Sequence, residues 1–242
     1  MKVLALYDIH GNTDALEAVL GDPRAADPDV VVIGGDVVPG QFARDTLELL
    51  EALPVPVHWI RGNGEREVAA AAALTGAPQD DDLAARTAAL SAIELGAERA
   101  AALGELPLTL ELDGALFCHA SPRRDDEMLT RISSPDRWEE ALTDVTAALV
   151  VAGHTHQQDD RQVGETRFVN AGSVGMPYEG DGAARWLWVE DGVPDLLQTP
   201  YDFRAAGARI LAAGWPDRES INASLVDPVD PMFVTRLFED QT

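Results

Sequence analysis

One cysteine, Cys118, stands in 242 residues. An internal disulfide needs two, so no disulfide framework holds this chain, and a cytoplasmic protein is the expectation. Basic residues are also scarce: 18 Lys and Arg against 42 Asp and Glu give a formal net charge of −24. A surface so negative repels a phosphate backbone, which argues against long nucleic acid as a partner. No apolar run approaches the roughly 18 residues of a membrane-spanning helix. The opening MKVLALYD reaches Asp8 too soon for a secretory leader, so neither membrane nor export is expected. Histidine is nearly as rare as cysteine, with five copies, so where those five fall is informative.

What remains is ordinary for a globular chain: 46% hydrophobic and 25% charged residues. The length suffices for one packed core, and a single domain over 1–242 is expected. The order of elements reads as alternating strand and helix. KVLALYD (2–8), DVVVIGGD (29–36) and VPVHWIRGN (55–63) suit buried strands, separated by helices after Asn12 or Thr13 and over 41–53. That rhythm implies a parallel sheet with its site at the carboxyl ends of the strands. Residues 65–106 break it with an Ala- and Leu-rich helical segment of two or three helices, one starting near Asp80 to Asp82. A hairpin over 108–120 turns at Asp113-Gly114, and a helix over 135–147 leads into ALVVAG. TRFVNAG, ARWLWVED and, beyond Asp191-Gly192, VPDLLQT are expected to extend a second sheet packed on the first. The tail over 203–225 reads as one or two short helices.

The chemistry gathers at the strand ends. The first ends in Asp8-Ile9-His10, the second in Gly34-Gly35-Asp36, the third in Arg61-Gly62-Asn63; the hairpin ends in Cys118-His119 and a later strand in Gly153-His154-Thr155-His156. Each alone is weak, since Asp-x-His is more often a turn and Gly-Gly-Asp a helix cap. Five together are hard to explain by packing. In extended backbone, residues two apart point the same way, so Asp8 and His10 can reach one point together, and His154 and His156 can likewise project beyond the sheet edge. Imidazole and oxygen donors without a required thiolate suit a borderline divalent ion such as Mn, Fe, Co, Ni or Zn. Such ions would also reverse the local sign for a phosphorylated substrate. His58, inside a strand, is read as structural, and Cys118 as a small buried residue.

In this order these motifs, with NAGSVGMP (170–177), resemble the calcineurin-like metallophosphoesterases over residues 1 to about 190. The resemblance implies a four-layer α/β/β/α sandwich of two mixed sheets, with 65–106 as a helical insertion or cap. It further implies two divalent metal ions, manganese being the expected activating one. Asp8, His10 and His156 would hold one ion, Asn63, His119 and His154 the other, and Asp36 both. The ions would lie about 3.5–4 Å apart and a hydroxide between them would attack phosphorus. Arg61 matches an arginine that contacts phosphate in related enzymes, although a salt bridge to one of the many acids explains it as well.

One departure matters. Many members follow the asparagine with a histidine that protonates the leaving oxygen; here Gly64 stands in its place, and Glu65 lacks its usual partner. Loss of a general acid costs about 10²–10⁴-fold. The expected activity is therefore a phosphodiesterase on a small phosphoester. A phosphomonoesterase, a dinucleoside-polyphosphate hydrolase and a non-catalytic scaffold of the same fold are the alternatives. Arg123 and Arg124 read either as substrate contacts or as a solvated turn. Tyr178-Glu179 replaces a commoner Arg-Asp pair and removes a possible basic contact.

Overall fold

The computed structural model describes residues 1–74, 82–227 and 229–240. Strands β1 (Lys2–Leu6) and β2 (Val30–Ile33) are continuous apolar runs, KVLAL and VVVI, as strands covered on both faces must be. They pair in parallel, Val3 opposite Val30, and the short β3 (Val57–Trp59) follows β2 in the same sense. The other edge of β1 carries β9 (Ala184–Glu190) antiparallel, and β10 (Val193–Thr199) pairs with β9 across the Asp191-Gly192 turn. The first sheet thus runs β10-β9-β1-β2-β3. This corrects the expectation that ARWLWVED and VPDLLQT extend the second sheet. The run Ala184–Trp186–Leu187 is buried on alternating faces, which suits an interior strand, and the free edge of β1 provides that position.

The second sheet holds β4 (Thr109–Leu112), β5 (Ala115–Cys118), β6 (Leu149–Ala152), β7 (Asp159–Val163) and β8 (Thr166–Asn170) in the order β4-β5-β6-β8-β7. The polar sequence of β7, DDRQV, carries no apolar strand signal. It forms at the edge, antiparallel to β8, where its side chains alternate between partly covered and exposed.

Three cores separate four layers. Alternation along β1 sends Leu4 and Leu6 toward helices α1 (Thr13–Leu20) and α2 (Ala43–Glu51), and Val3, Ala5 and Tyr7 toward the second sheet. Phe117, Val151 and Val169 meet them from β5, β6 and β8. On the far side Val150, Ala152 and Phe168 pack on Trp138 and Leu142 near α6 (Pro135–Ala141). The expected four-layer α/β/β/α sandwich is therefore what forms. Helix α6 ends earlier than 147: the chain turns after Ala141, and Asp144 adopts a φ of 66°.

Residues 65–106 supply three helices, α3 (Asn63–Ala72), α4 (Leu83–Leu95) and α5 (Ala97–Gly104). The expected start of α4 falls partly on Asp80 and Asp81, which lie outside the described residues; Asp82 caps the helix through the Ala84 amide. Asn63 proves to be the first residue of α3 rather than part of a strand. The tail forms α7 (Phe203–Ala212), α8 (Arg218–Val226) and an unforeseen α9 (Pro231–Glu239). The Asp230-Pro231 start of α9 is a legible signal, an N-cap followed by proline at the first helical position. No described helix is long and apolar enough to cross a membrane.

Candidate metal centre

The loops that follow β1, β2, β3, β5 and β6 bring all seven candidate ligands together. Two groups form: Asp8, His10 and His156, and Asp36, His119 and His154, the ligand atoms within each lying within 4.8 Å of one another. Asp36 faces both, with one carboxylate oxygen 3.7 Å from His10 Nε2 and the other 3.5 Å from His119 Nε2. Asn63 lines the same cavity. Five of the seven are buried, His10 and Asn63 are partly so, and Asp8 and His119 are fully enclosed.

The histidine rings are oriented by the backbone. His10 Nδ1 donates to the Pro39 carbonyl at 3.2 Å, His119 Nδ1 to Gly34 at 2.9 Å and His156 Nδ1 to Met176 at 2.8 Å. A carbonyl only accepts, so in each neutral ring the proton sits on Nδ1 and the Nε2 lone pair is left for another partner, as metal-binding histidines are arranged. Four buried atoms at the site have no hydrogen-bond partner: Asp8 Oδ1, Asn63 Oδ1, His119 Nε2 and His154 Nε2. Unpaired buried groups of this kind are costly, and their convergence fits a pair of divalent cations.

Charge shapes the protonation of the bare site. Burial opposes a charge on His119, but the Asp36 and Asp8 carboxylates outweigh it and carry the ring up to about 10. His154 goes the other way, to about 4, through burial and then the neighbouring His119. Asp36 is held well below the usual carboxylate range: burial raises it, but His119, His10 and His154 prevail.

The ligand loops use an unusual backbone. Asp8, His10, Asp36, His154 and His156 all have positive φ, between 48° and 69°. Asp and His tolerate the left-handed region better than most non-glycine residues, yet it is still disfavoured. Such conformations persist only where surroundings enforce them. The turn over 170–175 does part of this. Ser173 Oγ and the Gly175 amide donate to the Asp8 carbonyl at 2.7 and 3.0 Å, and Asn170 Nδ2 donates to the Gly153 carbonyl at 2.6 Å. A β-carbon on Gly175 would come 1.8 Å from the Ile9 carbonyl oxygen. These scaffold residues could not be assigned a task from sequence alone.

Glu65, whose part was open, is the staple between two ligand loops. Its buried carboxylate accepts from the amides of Asp36, Val37, Val38 and Gly62 at 2.8, 2.9, 3.3 and 2.8 Å. Burial and then Asp36 push it up to about 7, against the pull of the donating amides. Its place at the third position of α3, reaching back to Gly62, is the spacing of a capping box, the one local signal for it.

Arg61 is engaged elsewhere: it donates to Asp125 at 3.2 Å and to the Gly104 carbonyl at 2.9 Å, the salt-bridge alternative rather than a free phosphate contact. Arg123 pairs with Glu127 and Glu140, and Arg124 with Asp126, so both belong to surface ion pairs. His58 is exposed on the edge strand β3, and Cys118 is buried in the core beside α6. Glu179 accepts from Arg131 and the Gln158 amide, whereas the Tyr178 ring stacks on His156 with centroids 4.8 Å apart.

Residues 1–190 match the calcineurin-like phosphoesterase superfamily domain, and the chain belongs to that family. Among solved structures it is similar to a metallophosphoesterase from Sphaerobacter thermophilus, with 24% identity, 95% of this chain and 99% of that one covered, and a TM-score of 0.79. It is also similar to a hypothetical protein from Pyrococcus horikoshii OT3, with 21% identity, coverage of 93% and 97%, and a TM-score of 0.80. A cold-active protein-tyrosine phosphatase of a psychrophilic Shewanella shares the fold more distantly, with 16% identity, 81% and 80% covered, and a TM-score of 0.53. No curated protein sequence matches the chain.

Proposed function

We propose that this protein is a phosphodiesterase that works through two divalent cations on a small phosphoester. The observation that carries the reading is the convergence of unpaired buried polar atoms: Asp8 Oδ1, Asn63 Oδ1, His119 Nε2 and His154 Nε2, none with a hydrogen bond, around the carboxylate of Asp36. Asp8, His10 and His156 would hold one ion, Asn63, His119 and His154 the other, and Asp36 would serve both. When bound, the cations would neutralise phosphoryl oxygens and acidify water.

The chain's own residues do the positioning. The Gly64 amide donates to Asp36 Oδ1 at 2.7 Å and fixes that carboxylate, and Glu65 fixes its backbone. Position 64 holds no acid, so the leaving oxygen departs without a proton donor from that place. Esters with good leaving groups are therefore favoured, and activated diesters over phosphoserine-like monoesters. The test is hydrolysis of bis-p-nitrophenyl phosphate beside p-nitrophenyl phosphate, on protein stripped of metal and resupplied with manganese. The diester should turn over faster, only with metal, and at background in Asp36→Ala. A much faster monoester would refute the diesterase reading. Full activity in Asp36→Ala would refute the dinuclear one.

A further inference from the structure

The candidate metal centre opens into a cavity of about 720 Å³, in the size range of sites for drug-sized organic ligands and more room than a bare phosphate needs. Its floor carries His10, Asp36, Asn63, His154 and His156, and its walls include six large apolar side chains: Leu83 of α4, Ile210 of α7, Ile221 and Leu225 of α8, Leu237 and Phe238 of α9. Of these six only Ile210 is buried; Leu237 is 46% exposed and the other four are partly exposed. On a chain carrying −24 charges, a set of uncovered leucine, isoleucine and phenylalanine side chains facing one space is not explained by the core. The apolar wall is continuous with the metal-binding floor, because Tyr178 lies between them. One face of its ring stacks on His156 and Phe238 sits 5.9 Å away.

Charge narrows the occupant further. Among the described residues no lysine or arginine lines the cavity. Cations bound to the floor would neutralise one phosphate, and nothing else there offers a positive charge to a second. A polyphosphate chain would meet Asp36, Asp82 and apolar surface instead, which disfavours a dinucleoside-polyphosphate substrate. Five of the six wall residues come from α7, α8 and α9, beyond the residues that match the family, so this wall is a feature of the chain's own tail.

We infer that the substrate is a phosphoester with a single phosphate and a sizeable uncharged apolar group, alkyl or aryl, and that this group occupies the cavity walled by α4, α7, α8 and α9. The inference rests on the phosphoesterase reading. Inert phosphonates test it without turnover, because methyl-, hexyl- and phenylphosphonate share one head group and differ only in the apolar part. Their dissociation constants are measured by calorimetry on the manganese-loaded protein. Each buried methylene is worth about fourfold in affinity, so hexyl- or phenylphosphonate should bind at least tenfold tighter than methylphosphonate; whichever gains more identifies the group as alkyl or aryl. In the double variant Leu225→Ser, Leu237→Ser, both of whose side chains stand partly in the open, that ratio should fall toward one. Equal binding of all three by the wild type would overturn this inference while leaving the metal centre intact. An undiminished ratio in the double variant would also overturn it. If none of the three binds, the phosphoesterase reading fails and this inference with it.

Discussion

The amide of Gly64 donates to Oδ1 of Asp36 at 2.7 Å, and a β-carbon on Gly64 would stand 2.8 Å from that same oxygen and 2.1 Å from the Val38 carbonyl oxygen. The missing histidine is thus not a simple vacancy. The loop after β2 has closed onto the start of α3 so tightly that no side chain fits between them. Restoring histidine by Gly64→His should therefore not restore a general acid. It should push Asp36 out of place and lower bis-p-nitrophenyl phosphate turnover by about 10²-fold or more, the cost of an ångström-scale misplacement. Metal content of the purified variant should fall with it. A variant that keeps its metal and gains monoesterase activity would refute this account.

Glu65 provides a second test of the same junction. Four backbone amides point at one carboxylate, and Glu65→Gln keeps the shape while turning one acceptor oxygen into an N–H donor. At least one buried amide is then left facing a donor. The expected loss is about 1–3 kcal/mol, read by urea unfolding of the metal-free protein so that ligand binding does not enter. Unchanged stability would mean that the staple contributes nothing.

The candidate ligand positions at the strand ends and the strand–helix rhythm were legible because both are local. Asp8 and His10, or His154 and His156, lie two residues apart, and apolar runs such as VVVI read as buried strands without further help. What was not legible depends on distant partners. The place of β9 is decided by the free edge of β1, not by ARWLWVE itself. The polar β7 is stable only because β8 lies beside it. The task of Ser173 appears only once its hydroxyl meets the Asp8 carbonyl, 165 residues away. Arg61 carried two readings, a phosphate contact or a salt bridge, and only the folded chain shows Asp125 next to it.

Asp22 gives a pH dependence away from the site. The Arg24 guanidinium holds its carboxyl far below the usual range, against the effect of burial, and the Thr199 hydroxyl assists with a 2.6 Å bond. A carboxyl depressed on folding stabilises the protein above its unfolded pKa, near 4, and that contribution fades as pH falls through the folded value. Asp22→Asn should therefore cost about 1–2 kcal/mol at pH 7, a modest figure because Arg24 is half exposed. The gap to wild type should narrow below pH 4. Urea unfolding at pH 7 and pH 3 measures it, and a gap that stays the same would contradict the ion-pair assignment.

His10 and His156 set their Nε2 atoms 3.1 Å apart while each gives its Nδ1 proton to a carbonyl. Two lone pairs then face each other, with Asp8 Oδ1 3.3 Å from His156 Nε2, so the metal-free protein holds a cluster of acceptors that repel. A cation between them converts that repulsion into ligation. Manganese at about 100 times its dissociation constant should add about 2.7 kcal/mol of stability, or a rise of about 5–11 °C in Tm for a chain of this size. His10→Ala removes one of the facing lone pairs. It should leave the metal-free Tm unchanged or higher and shrink the manganese-induced rise. Calorimetric scans with chelator and with manganese separate the two effects. Identical melting of the wild type in both conditions would remove the physical basis for a cation at this pair.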